Sequence, residues 1–186
     1  MSCCNNNQKC CGGITSCVGC NDCCTPSDAM KYLNPIGQGE DKTYSISTIV
    51  NANNCDDIKT RQLLLENLNE EEQGKENHPE LWMRFAEGMG NTRKNVNETV
   101  PMKETEELVK IFKKLSKSEK YHIGLAALYC YESMQPEISE TKKDGLQKFY
   151  DIKDEDTLKF FTVHMHADKW HRKVVRNVIK RVADSK

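Results

Sequence analysis

The chain has 186 residues, a net charge of −1 and charged side chains of both signs interspersed along its length. That length suits one domain, and so balanced a charge leaves no footprint for nucleic acid or for an anionic membrane as partner. No apolar run approaches the ~20 residues that span a bilayer, and the N-terminus lacks a signal-peptide hydrophobic region, so a cytoplasmic protein is expected.

Ten cysteines would suggest a secreted disulfide framework, but Cys3, Cys4, Cys10, Cys11, Cys17, Cys20, Cys23 and Cys24 crowd the first 24 residues. Only Cys55 and Cys130 fall in the remainder, so the cysteines belong to a tail. Residues 1–44 carry Asn, Gly and Cys with little apolar periodicity, and Pro26, Pro35, Gly37 and Gly39 punctuate them. A disordered cysteine-rich tail over 1–44 and a helical domain over 45–186 are expected. Cys17-x2-Cys20-x2-Cys23 approaches an iron–sulfur spacing. The ferredoxin run, however, wants three residues before its last cysteine and a proline directly after it, and Cys24-Thr25-Pro26 fails both.

From about Ser47 the pattern turns helical. A first helix is expected to run to Gln73, with Leu64 and Leu68 on one side and Gly74 as its C-cap. His78-Pro79 opens a second, with proline at the first turn and Leu81, Trp82, Phe85, Ala86 and Met89 as its apolar face. Gly88, Gly90 and Asn91 end it, and a polar loop follows. Helices are then expected over 103–115, 118–134 and 137–150, with Pro136 breaking the second of these from the third. Asp154, Glu155 and Asp156 sit where a helix dipole favours anions, and a long helix follows to about Val182. No internal repeat and no alternating strand pattern is present. The expected fold is all-α.

The last helix carries the signal for function. At about 100° per residue, His164, Asp168 and His171 share a face with Phe161, Met165, Val175 and Ile179. Such a stripe faces a core, and three ionisable groups inside it are costly unless compensated. A hydrogen-bonded polar cluster would compensate them. So would a metal, since imidazole and carboxylate are ligands for iron, manganese or zinc. Glu132 repeats the pattern, lying on the side of its helix that holds Tyr121, Leu125, Leu128 and Tyr129. Glu71 shares a side with Leu64 and Leu68, and His78 follows across the Gly74 break; Glu70 and Glu72 compete with Glu71 on spacing alone. Three carboxylates and three histidines suit two divalent irons or manganeses, whereas one structural zinc wants four ligands, usually with cysteine. A ferritin-like site built on Glu119-x2-His122 and Asp168-x2-His171 ranks second, because His122 points away from Glu132 on their shared helix.

The run Ala127-Leu-Tyr-Cys-Tyr-Glu132 through Lys142 to Leu146, then Phe160-Phe-Thr-Val-His164 and Ala167-Asp168-x2-His171, resembles the haem-oxygenase-like di-iron proteins. Within them it is most similar to the p-aminobenzoate-forming group of the chlamydial proteins associating with death domains. The segments from Cys55 to Gly74 and from Asn77 to Trp82 carry the same resemblance, which covers about 48–180. It implies a haem-oxygenase-like helical bundle, here lacking the first helices and the last one, related in fold to pyrroloquinoline-quinone synthase and thiaminase-II. It implies two iron ions (manganese as the substitute) on Glu71, His78, Glu132, His164, Asp168 and His171, with dioxygen as co-substrate. It also implies Lys142 as amino-group donor in p-aminobenzoate formation for folate, pointing inward while Lys143 points outward. The expected function is therefore a non-haem di-iron oxygenase or oxidase acting on a small molecule or on a self-derived group, with a homodimer left open. A cofactorless oxidase like pyrroloquinoline-quinone synthase and a catalytically inactive helical binding protein stand as the alternatives.

Overall fold

The computed structural model describes residue 48 and residues 52–183, with the side chains of 167–171 and 183 not described. The cysteine-rich tail, with Cys17, Cys20 and Cys23, lies outside the described residues. The described residues form seven complete helices and no strand.

The helix expected from about Ser47 is interrupted: Thr48, Ala52 and Asn53 are helical, the chain leaves the helix over 54–57, and helix α1 (Ile58–Glu72) begins afresh with Asp57 as its cap. The Asp57 carboxylate accepts from the Lys59 and Thr60 amides, both at 3.3 Å, and from Thr60 Oγ1 at 2.6 Å. An aspartate that satisfies the first-turn donors starts a helix rather than continuing one. Gly74, beyond its end, takes the left-handed φ of +87° that favours glycine. Helix α2 (His78–Gly88) is capped by Asn77, whose side-chain oxygen accepts from the Glu80 amide at 2.9 Å, and carries its proline in the first turn.

The polar loop expected next contains a short helix, α3 (Arg93–Glu98), capped by Thr92. Its one buried residue, Val96, is too little apolar signal for periodicity to register. Arg93 fixes it to α2 through Glu80 (2.7 Å) and Glu87 (3.0 Å). Helix α4 (Lys103–Ser116) has Glu104 and Glu106 in its first turn and Lys113 and Lys114 in its last, matching the helix dipole at both ends. Helices α5 (Tyr121–Glu132) and α6 (Gln135–Tyr150) are separated near Pro136 as expected. Asp154 starts α7 (Glu155–Ala183) by accepting from the Thr157 amide at 2.8 Å and from its hydroxyl at 2.7 Å.

Helix α7 is the spine, with α1, α2, α5 and α6 packed against it and α4 lying on α5. Two separate apolar clusters lie along it. One joins Leu81, Trp82 and Phe85 of α2 to Leu146 of α6 and to Leu158, Phe160 and Phe161 of α7. The other joins Leu64 of α1 and Leu125 of α5 to Val175 and Val178. Each fully buried large side chain contributes roughly 1.5–3 kcal/mol relative to exposure. The turns of α7 between these clusters carry His164. No helix among the described residues is long and apolar enough to cross a membrane.

Candidate metal centre

Four of the six ligand candidates are described, and all four are buried: Glu71 and His164 are 7% exposed, His78 and Glu132 3%. Glu70 and Glu72 are exposed, so of the three glutamates at the end of α1 only Glu71 is buried. His78 Nδ1 lies 2.6 Å from Glu71 Oε2. The imidazole of His78 packs on that of His164, centroid to centroid 4.2 Å, and His164 packs equally closely on Phe160. Three helices thus bring Glu71, His78 and His164 together in a row, with His78 in the middle.

Glu132 enters from α5. Its Oε1 accepts a hydrogen bond from Asn67 Nδ2 at 3.1 Å, and Asn67 lies one helical turn before Glu71 on α1. The sequence reading missed Asn67, although its register, three residues after Leu64 and four before Glu71, places it on the same buried face. The side chains of Asp168 and His171 lie outside those described. Their turn of α7 is held to the end of α5 by Arg172, which donates to the Ser133 carbonyl at 3.0 Å.

His164 Nδ1 lies 2.7 Å from the Phe160 carbonyl oxygen. A carbonyl can only accept, so Nδ1 carries the proton and Nε2 keeps its lone pair. That tautomer is the one a histidine needs to bind a metal through Nε2, with the second nitrogen fixed by a backbone acceptor. Among the described residues no three His, Cys, Asp or Glu side chains already form a cation cage. The chemistry of the donor set nevertheless fits iron or manganese: carboxylates and imidazoles only, all four buried, with one tautomer already fixed.

The ferritin-like alternative does not assemble, since Glu119 is exposed. His166, on the opposite side of α7 from the candidate ligands, is also exposed. Lys142 is half-buried on α6. Lys143, expected to face outward, is half-buried as well, and its Nζ donates to Thr162 Oγ1 at 3.0 Å. The reason is the long α6–α7 contact, which brings Lys143 within reach of Thr162 on α7.

A cavity of about 150 Å³ lies between α1, α5 and α7, lined chiefly by Leu63, Leu64, Leu125, Val175 and Val178 and reaching Asn67. It is open to solvent beside Glu66 and Glu70.

A sequence model of a family described as iron-containing redox enzymes, haem-oxygenase-like, matches residues 40–186. The 4-aminobenzoate synthase of Nitrosomonas europaea is 42% identical over 135 residues, 73% of this chain and 55% of that protein. The 4-aminobenzoate synthase of Chlamydia trachomatis is 33% identical over 126 residues, 68% of this chain and 54% of that one. That of Chlamydia muridarum is 31% identical over 129 residues, 69% and 55%. The chain spans about half the length of the curated relatives it matches.

Proposed function

The chain belongs to the family of iron-containing redox enzymes with the haem-oxygenase-like, all-helical fold, and from that premise we propose that it is a di-iron oxygenase or oxidase acting in 4-aminobenzoate formation. The observation that carries this reading is the buried run of contacts from Glu71 through His78 to His164, with Glu132 bonded to Asn67, one helical turn before Glu71. With Asp168 and His171 these residues would hold two irons, and manganese would suit the same donors. Bound there, the ions would supply one-electron redox chemistry toward dioxygen.

The protein's own contribution is positional. Hydrogen bonding to Phe160 presents Nε2 of His164 as a lone-pair donor. Trp82, Phe85, Phe160 and Phe161 close the α2–α7 side against water, which strengthens every electrostatic interaction inside. Lys142 is assigned as the amino-group donor. Such a donor acts through its neutral amine, the form that desolvation favours. The carbon skeleton would come from a small molecule or from a side chain of the protein itself.

The test is anaerobic loading with ferrous iron followed by counting iron per chain. Two irons are expected, with fewer in His164→Ala and Glu132→Ala and no change in His166→Ala. Uptake that is the same in all three variants as in the parent would refute the ligand assignment.

A further inference from the structure

Asn67 is 7% exposed, and it spends its amide donor on Glu132 across 65 residues of sequence. A buried amide is a choice the fold has to compensate, and a leucine at this register would extend the apolar stripe begun by Leu64. Asn67 also lines the cavity between α1, α5 and α7, so it stands between that solvent-open space and the Glu132 carboxylate. The carboxylate oxygen it engages is Oε1, which fixes the rotation of the group and directs Oε2 elsewhere.

We propose that Asn67 is a positioning residue for the metal centre: its Nδ2–H holds the Glu132 carboxylate in one orientation, so that a single oxygen is offered to a divalent ion. This rests on the di-iron reading and adds to it a residue outside the six ligands. An amide suits the task because it donates without bringing charge. A lysine there would neutralise the carboxylate, and an aspartate would repel it.

Partners of this kind, hydrogen-bonded to a ligand, typically alter metal affinity 10–100-fold when removed. The experiment titrates the full-length, metal-free chain with cobalt(II), reading affinity, stoichiometry and the visible ligand-field band, and melts the metal-free form in parallel. Asn67→Leu removes the donor and fills the space, and Asn67→Ala removes it without risk of overpacking. Both should weaken cobalt binding by roughly 10–100-fold and alter the band, because a released carboxylate changes its coordination mode. Asn67→Gln keeps an amide donor, has the adjacent cavity to take its extra methylene, and should retain affinity closer to that of the parent. Variants with parental affinity and band overturn the proposal, as do variants in which only the metal-free melting temperature moves. A parent chain that binds no cobalt overturns the metal reading and this one together, whereas parental binding of two ions with unchanged variants overturns only the role of Asn67.

Discussion

At the scale of single residues, the two lysines of α6 make separable predictions. Lys143 is tied to Thr162, so Lys143→Ala should cost about 0.5–1.5 kcal/mol, the usual net worth of one such hydrogen bond, and leave 4-aminobenzoate formation intact. Lys142→Arg keeps the positive charge but resists deprotonation. It should abolish that product without lowering the iron bound. Equal turnover in Lys142→Arg and the parent, in an oxygen-dependent assay, would remove Lys142 from the chemistry. The ligand candidates were legible at this scale for a specific reason: Glu71, Glu132 and His164 are ionisable groups inside apolar stripes, and a stripe predicts burial. Asn67 obeys the same register but is uncharged, and nothing in the sequence separates a buried asparagine from the many exposed ones. The inward and outward assignment of Lys142 and Lys143 was beyond reach because it depends on which groove of α7 each side of α6 meets.

At the scale of elements, periodicity located the long helices but not their exact starts or the short α3. The stretch from Ser47 is helical at Thr48, Ala52 and Asn53, but it does not run unbroken into α1, because Asp57 starts a new helix by local hydrogen bonding. Gly88 was readable only as a helix end. In the structure it is a contact point: a Cβ there would run into the Thr157 hydroxyl and methyl, where α7 begins. Thr157 cannot readily move aside, because its amide and hydroxyl are both engaged by Asp154. Gly88→Ala should therefore destabilise despite alanine's better helix propensity. The expected cost is about 1–3 kcal/mol, the range for overpacking, seen as a fall in melting temperature of about 2–4 °C per kcal/mol. A variant at least as stable as the parent would mean that α2 and α7 slide apart freely at this crossing.

At the scale of the whole molecule, the helices are laced together by ion pairs whose carboxylates are held below their usual range, and the acid stability of the fold should follow from them. The Thr60 hydroxyl, the Lys59 and Thr60 amides and Arg181 lower Asp57, linking the start of α1 to the last turn of α7 through a 2.5 Å contact. Lys159 lowers Glu76 through a hydrogen bond that joins α7 to the α1–α2 turn. Arg93 foremost, then Arg84, brings Glu80 from 4.5 down to about 2, and Arg84 continues to Asp156 on α7. A carboxylate whose pKa is lower folded than unfolded stabilises the fold fully above its unfolded pKa and loses that contribution as pH falls through the folded value. For Glu80 the window therefore runs from about 4.5 down to about 2. The urea midpoint of the metal-free chain should hold steady at mildly acidic pH and fall progressively below pH 4.5. Glu80→Gln, which cannot ionise, should lower the midpoint at neutral pH and flatten its fall in acid. Glu98→Gln should change neither, since Glu98 meets Lys94 only at 4.0 Å with both side chains exposed and such pairs contribute little. Added salt should shrink the Glu80 effect, because its partners are reached by solvent. A Glu80→Gln chain whose midpoint tracks the parent from neutral pH down through the Glu80 window, from 4.5 to about 2, would show that the α2–α3–α7 lacing adds nothing to stability, and the apolar clusters along α7 would then have to hold the helices alone.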